Sequence, residues 1–100
     1  MNQAVTILID RLDDMTDELD SSDTLRRLSA YLIVKEIVKK LEKTAKEEEY
    51  PSGYIAQVLE EVRGSAAAIS GLEDNRGHNQ KSWYIGAVNK LSTNFCFGKD

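Results

Sequence analysis

Seven acidic residues stand close together between positions 10 and 23, and Arg11 is the single basic residue among them. Calcium binds several carboxylate and carbonyl oxygens at once, so a cluster of this kind raises the question of an EF-hand loop. Such a loop has glycine at its sixth position and glutamate at its twelfth. A loop that starts at Asp17 has Ser22 and Leu28 there instead. The cluster therefore predicts a solvated acidic surface rather than a calcium site.

An acidic surface on the first helix is suited to a basic protein partner, because opposite charges attract across a developing interface. The four side chains expected to supply this contact are Asp13, Asp14, Asp17 and Glu18. Mimicry of a nucleic-acid phosphate backbone is the other use of such a surface, and it needs a continuous negative stripe. Five lysines between positions 35 and 46 dilute that stripe. A basic protein partner is therefore the first prediction, and mimicry stays open.

A second group of residues with binding chemistry lies in the segment NRGHNQKSWY, at positions 75–84. Its cations suit phosphates and its aromatic rings suit stacking on bases, which makes nucleic-acid or nucleotide binding the alternative function. The residues that would bind are Arg76, His78, Lys81, Trp83 and Tyr84. The segment matches no RNP, helix-hairpin or phosphate-loop pattern. At least one of the two aromatic residues is expected in the core, with its polar tip at the edge.

Catalytic and metal-binding chemistry has little support in the residue pattern. His78 and Cys96 are the only histidine and the only cysteine, eighteen positions apart. A nucleophile needs a base placed beside it, and a zinc site needs three or four ligands. We therefore expect a protein that is not an enzyme, with no catalytic residue, no metal and no cofactor.

The composition is that of one globular domain of 100 residues, with 41% hydrophobic and 30% charged residues. One proline and six glycines leave little to interrupt long helices. A lone cysteine suits a reducing cytosol, and apolar runs such as AYLIV are too short to cross a bilayer. No signal peptide is expected at the start of the chain. These features predict a cytoplasmic protein that does not contact a membrane.

The net charge of −4 is divided unevenly along the chain. Residues 1–74 carry 9 basic and 16 acidic side chains, whereas residues 75–100 carry 4 basic side chains and one acidic side chain. Separation of this kind bears on association with partners and with other copies of the chain, and not on the fold.

Hydrophobic residues at spacings of three and four predict four helices, over the ranges 3–19, 23–49, 53–70 and 80–95. The expected fold is all-α. It is a small four-helix bundle forming a single domain, built on a long antiparallel hairpin of the second and third helices.

Several residues predict where these helices begin and end. Ser21 or Ser22 is the expected N-cap of the second helix, and the residue before Pro51 is steered out of the helical region. Gly71 suits the left-handed residue that ends the third helix, and Asn79 suits the cap of the fourth.

The stretch GSAAAISG, from Gly64 to Gly71, leaves the third helix nearly bare of side chains. A glycine inside a helix costs about 1 kcal/mol relative to alanine, so a close neighbour is expected there to offset the cost. The centre of the second helix is apolar on more than one face, which is typical of burial from two sides. We therefore predict a homodimer or higher oligomer. The expected interface residues are Tyr31, Ile33, Val34, Ile37, Gly64, Ala67 and Ala68.

No motif in the chain specifies a reaction, and the charges are segregated on helical surfaces. The sequence therefore predicts a small, non-enzymatic interaction protein of the cytoplasm. It would act as a homo-oligomer, as a regulator or inhibitor, through its charged helices. Binding of nucleic acid or a nucleotide through residues 75–84 is the alternative.

Overall fold

The computed structural model describes residues 3–50, 52–72 and 81–97, and these ranges contain helices and no strand. The prediction of an all-α fold with four helices is confirmed. The elements in chain order are α1 (Gln3–Asp14), a 3₁₀ turn (Glu18–Asp20), α2 (Thr24–Glu47), α3 (Ser52–Ser70) and α4 (Lys81–Phe97).

Helix α1 ends at Asp14, five residues before the predicted end. The amide of Met15 donates to the carbonyl of Leu12, and the hydroxyl of Thr16 donates to the carbonyl of Asp13 at 2.7 Å. Acidic residues are unfavourable at the negative end of a helix dipole, and this segment is rich in them. The chain therefore leaves the α-helical path early and tightens into the 3₁₀ turn.

Helix α2 begins one residue later than predicted, and its N-cap is neither of the two serines proposed. The carboxylate of Asp23 accepts from the amide of Leu25 at 2.9 Å, while the hydroxyl of Ser21 accepts from the amide of Asp23 at 3.1 Å. Asp23 has extended backbone angles, which an N-cap residue requires. Ser21 thus orders the approach to the helix, and Asp23 caps it.

Helix α2 ends at Glu47, before the predicted end at Glu49. Glu49 has a φ of 58°, in the left-handed region, and the amide of Tyr50 donates back to the carbonyl of Ala45 at 3.0 Å. Tyr50 is buried, and its ring meets the edge of Phe95 with the centroids 4.8 Å apart. Burial of Tyr50 therefore accompanies the early end of the helix.

The end of α3 confirms the prediction made for Gly71, which has a φ of 83°. The amide of Gly71 donates to Ala68 at 3.2 Å, and the amide of Leu72 donates to Ala67 at 2.9 Å. This pair of hydrogen bonds is a Schellman motif, in which glycine avoids the Cβ clash of left-handed backbone. The predicted cap Asn79 lies outside the described residues.

Helix α3 is the central element, because it packs against α2 and α4 and also meets the 3₁₀ turn, while α1 packs on α2 and α4. The largest fully buried side chains are Tyr84, Phe95, Leu12, Leu19, Leu41, Ile55, Leu59 and Leu91. The 24 residues of α2 span about 36 Å. The molecule is 42 Å long, so one copy of the chain accommodates this helix along its full length.

Among the helices that the structure describes, none is long and apolar enough to span a membrane.

Candidate functional site

The predicted acidic contact residues are divided by the structure into two pairs with different surroundings. Asp17 lies 3.0 Å from the ammonium of Lys81, and Glu18 receives two hydrogen bonds from Arg26, at 2.7 and 3.0 Å. Hydrogen bonding to Asp17 raises the pKa of Lys81 above its usual value, and hydrogen bonding to Glu18 does the same for the pKa of Arg26. Two of the four acidic residues are thus already paired within the chain.

The other two acidic residues, Asp13 and Asp14, are exposed at the end of α1. Neither takes part in an ion pair within the described part of the chain. Asp14 lines a groove between α1 and α2. Of the four predicted contact residues, these two therefore carry the charge that no ion pair among the described residues offsets.

The predicted nucleic-acid segment is also divided. Tyr84 is fully buried, and its hydroxyl donates to the carbonyl of Leu12 at the end of α1. Burial raises the pKa of Tyr84 above its usual value, and the carboxylate of Asp13 raises it further. Tyr84 is therefore a core residue, out of reach of a ligand. Trp83, one position earlier, is 52% exposed.

Lys81 joins the two predicted binding regions, because the carboxylates it meets belong to the acidic cluster. Besides Asp17, it approaches Asp20 at 3.4 Å. Sequence reasoning treated the acidic and basic regions as separate surfaces for separate partners, but at this point they pair with each other. The remaining residues predicted for this site, Arg76 and His78, lie outside the described residues.

Four of the seven predicted interface residues are buried by the chain's own helices. They are Val34, Ile37, Ala67 and Ala68. Helix α2 is apolar on more than one face because α3 covers one side and α1 partly covers another. The residues that remain accessible for contact with another copy are Tyr31, Ile33 and Gly64.

A groove of about 850 Å³ runs between α3 and α4, with Gly64 and Gly86 among its lining residues and the half-exposed Trp83 also facing it. A Cβ atom added at either glycine would meet nothing within 4 Å. Packing among the described helices therefore does not require glycine at these two positions. The buried small residues of the GSAAAISG stretch are Ser65, Ala66, Ala67, Ala68 and Ser70.

Ion pairs flank this α3–α4 groove. Lys90 of α4 reaches Glu61 of α3 at 3.3 Å, and Arg63 binds Glu60 one turn earlier on the same helix. The hydrogen bond from Arg63 lowers the pKa of Glu60 below its usual value. The groove thus has an open floor, an aromatic side chain and balanced charge at its margin.

A second groove, of about 620 Å³, lies between α1 and α2. Ile7 and Leu32, which line it, are 61% and 60% exposed. It shares Arg11 and Ile33 with an adjoining depression of about 440 Å³ that contains Leu25, which is 72% exposed. The two hollows form one continuous apolar surface.

Sequence reasoning assigned no role to the three exposed residues of this surface. Leu25 and Leu32 lie seven positions apart, so two helical turns place them on the same face of α2. That spacing was the available signal. The spacing could not be recognised from the sequence, because the inner stripe of α2 is apolar as well. Only the packing shows which apolar residues the chain itself covers.

Within residues 3–50, 52–72 and 81–97, no three histidine, cysteine, aspartate or glutamate side chains are grouped so that they could hold a metal ion. The side chain of Cys96 and the whole of His78 lie outside the described residues.

In comparisons with known proteins, no protein-family model, no curated protein and no solved structure matches this chain.

Proposed function

We propose that this chain is a non-enzymatic interaction protein of the cytoplasm, a homo-oligomeric regulator or inhibitor that binds a helix of a partner protein in the α3–α4 groove. The observation that carries the proposal is the pair of glycines that face this groove, Gly64 and Gly86. Among the described residues, neither has a neighbour within 4 Å that would exclude a side chain.

The two glycines carry an energetic cost for the helices that contain them. Each glycine inside a helix costs about 1 kcal/mol relative to alanine. Of the glycines that the structure describes, only Gly71 has a positive φ, so Gly64 and Gly86 do not serve an unusual backbone angle. Packing among the described residues does not call for glycine at either position, whereas an incoming helix gains an open floor between α3 and α4.

The margin of the groove indicates the kind of partner. Trp83 is an exposed aromatic side chain beside a hollow, and tryptophan is among the residues that most often dominate binding energy at interfaces. The pairs Lys90–Glu61 and Arg63–Glu60 place both signs of charge beside it. An amphipathic helix with an apolar side for the groove and polar residues for these pairs fits this surface.

The acidic contact belongs to the same proposal as a second point of attachment. Asp13 and Asp14 are exposed and carry charge that the described residues do not neutralise. A basic segment of the partner would meet them at the end of α1. The paired residues Asp17 and Glu18 would contribute only after exchanging Lys81 and Arg26 for that segment.

We also infer that α2 and α3 form an antiparallel hairpin. Arg27, near the start of α2, donates to the carbonyl of Ser70 at the end of α3, at 3.3 Å. Further along α2, Tyr31 accepts from Arg63 at 3.1 Å. These contacts support helices that run in opposite directions.

Capture of partners by the tagged protein tests the proposed groove. Gly64→Leu fills the floor, and Gly53→Leu is its control, because Gly53 also has no neighbour within 4 Å of a Cβ and lies outside the groove. We expect a partner held by wild type and by Gly53→Leu to be lost from Gly64→Leu, with the circular dichroism of all three unchanged. Equal capture by the three proteins, or no capture by any, would contradict the proposal.

Binding of nucleic acid or a nucleotide is the second candidate, and exposure of Trp83 is the observation that favours it, since bases stack on aromatic rings. Arg63 and Lys90 are balanced by Glu60 and Glu61 in the same groove, so it offers no net positive charge to a phosphate backbone. Titration of tryptophan fluorescence with single-stranded DNA distinguishes the two functions. A response that weakens as salt rises would support the nucleic-acid function, and an unchanged signal would reject it.

A further inference from the structure

The exposed apolar surface of α1 and α2, here called the apolar strip, consists of Ile7, Leu25 and Leu32, with the partly buried Leu8 and Ile33 beneath them. We propose that a second copy of this chain covers the apolar strip, with the two α2 helices antiparallel across a two-fold axis at Leu32. This inference rests on the homo-oligomer of the proposed function, and it is independent of the α3–α4 groove. Because Asp14 lines the strip, Asp13 is the acidic contact that the dimer would leave outside it.

The apolar strip is exposed to solvent in a single copy of the chain. Three large aliphatic side chains on one face are each at least 60% exposed, and they lie along a groove rather than singly. Contiguous apolar surface of this kind marks a contact with another molecule. A two-fold axis brings the same patch of both subunits together, so a surface that covers itself must match its own reversed copy.

The two ends of the apolar strip have opposite charge, as an antiparallel pair of copies would require. Residues 13–27, at one end of the strip, carry six acidic side chains against Arg26 and Arg27, and Lys81 pairs with two of the acids, so this end stays net negative. Residues 35–43, at the other end, carry four lysines against Glu36 and Glu42. Lys40 lines the groove at the basic end, and Asp23 lines it at the acidic end.

The geometry of α2 places these groups opposite each other in an antiparallel pair. Residues 25 and 40 are about 22 Å apart along a helix. When the axis passes through Leu32, Lys40 of one copy lies level with Thr24 of the other, beside Asp23. By symmetry, the contact between Lys40 and Asp23 occurs twice in the dimer. Leu25 of each copy then lies at the basic end of the other copy's strip, where Ile7 is. A parallel pair would bring the two acidic ends together and the two basic ends together.

The mixed charge also favours a second copy over an unrelated basic partner. Arg11 and Lys40 line the strip beside Asp10, Asp14 and Glu36. A uniformly basic segment would be repelled by the first two residues. A second copy of the chain carries acidic side chains at one end of its strip and basic side chains at the other, in the order that an antiparallel pair needs.

Measurement of mass by light scattering and sedimentation tests whether the dimer forms and where. The wild-type chain of 11.2 kDa is expected to behave as a dimer at micromolar concentration. Leu32→Asp, at an exposed position, is expected to give a folded monomer over the same range. Tyr54→Asp is the matched control, because Tyr54 is equally large and 50% exposed but lies on α3, and it should leave the dimer intact.

Cross-linking tests the direction of the helices. In a Cys96→Ser background, Leu32→Cys is expected to form a disulfide-linked dimer on mild oxidation, because the two copies of residue 32 meet at the axis. Leu25→Cys is expected to stay unlinked, since its two copies would be about 21 Å apart along the axis and a disulfide needs Cα atoms within about 7 Å.

Charge reversal tests the pairing at the ends of the strip. Lys40→Glu is expected to raise the dimer dissociation constant about tenfold, because it replaces two attractive contacts with two repulsive ones. Lys46→Glu makes the same change of charge outside the groove and should leave the constant within about twofold.

A monomer at all concentrations would overturn the inference, and so would a dimer that Leu32→Asp leaves intact or that both cysteine variants cross-link. These outcomes are separate from failure of the proposed partner site, because the Gly64→Leu comparison is read from partner capture and not from mass. A dimer that Leu32→Asp leaves intact, with capture by wild type and its loss in Gly64→Leu as expected, would remove this inference alone. A wild-type chain that stays monomeric would also remove the homo-oligomer from the proposed function, but not the α3–α4 groove.

Discussion

Tyr84 shows how a residue with binding chemistry can serve the core instead. Its ring lies among the most buried side chains, and its hydroxyl ties α4 to the last turn of α1 through the carbonyl of Leu12. The exposed neighbour, Trp83, is left for contact with other molecules. Adjacent positions on a helix point about 100° apart, so the two aromatic residues cannot both face the core.

Replacement of Tyr84 by phenylalanine should lower the free energy of unfolding by about 1 kcal/mol, the typical contribution of one hydrogen bond. The loss should be no larger, because the carbonyl of Leu12 still accepts from the amide of Met15. Urea denaturation measures the difference. Tyr54→Phe, at an exposed position, is the control and should leave the midpoint unchanged, whereas equal effects of both variants would contradict the assignment.

The phenol of Tyr84 also predicts how stability depends on pH. Its pKa is raised in the folded protein above the usual value of 10.0, so the folded state favours the neutral form. The stability that this form contributes is complete below pH 10, and it is lost as pH rises from there through the folded pKa. Wild type should therefore lose stability above pH 10 more steeply than Tyr84→Phe. Lys81, whose pKa is also raised, is present in both proteins and contributes equally to both curves.

At the scale of one element, the end of α2 contains a residue whose backbone strain a substitution can relieve. Glu49 adopts left-handed backbone at a position where other helices have glycine, as α3 does at Gly71. Left-handed backbone costs a residue with a Cβ atom about 1–2 kcal/mol. Glu49→Gly should therefore raise the free energy of unfolding by about 1 kcal/mol in thermal or urea denaturation.

The matched control for that change is Glu47→Gly, two residues earlier and still helical. There the substitution should lower stability by up to about 1 kcal/mol, because glycine gains nothing from right-handed backbone and loses more entropy on folding. Opposite signs at the two positions identify the backbone angle as the cause. The same sign at both would refute it.

At Gly64, in α3, we expect a substitution that raises stability to weaken binding of the partner. Gly64→Ala should raise the free energy of unfolding by about 1 kcal/mol, since alanine is the better helix former and its Cβ has room. The reverse is expected at Gly71, where alanine should destabilise because of the positive φ. If Gly64→Ala is more stable and captures less partner, glycine is retained there for contact rather than for the fold. A destabilised Gly64→Ala protein would show that the fold does need glycine.

At the scale of the whole molecule, the two grooves have no lining residue in common. A dimer formed through the apolar strip would therefore present two α3–α4 grooves at once. On a surface densely coated with partner, wild type should bind at least about tenfold more tightly than monomeric Leu32→Asp. In solution, against a monomeric partner helix, the two proteins should bind equally, and a difference there would mean that the strip itself touches the partner.

The helical repeat of hydrophobic residues was sufficient to predict four helices and most of the buried residues, because a 3.6-residue period shows in any amphipathic segment. It was insufficient at the helix ends. The serine caps proposed for α2 were displaced by Asp23, and α1 ended before the predicted Leu19. Both ends depend on short hydrogen bonds among neighbouring polar residues, several of which are equally plausible from residue type alone.

The sequence by itself determined the fold class, the left-handed ending at Gly71 and the separation of acidic from basic regions, since periodicity, glycine geometry and charge are local properties. Only the tertiary structure decided which charges and apolar faces stay available. It paired Lys81 with Asp17, buried Val34 and Ile37 within one chain, and left Leu25 and Leu32 uncovered. The physical reason is that partners in a folded chain come from distant positions. Whether a side chain is satisfied depends on what the other helices bring beside it.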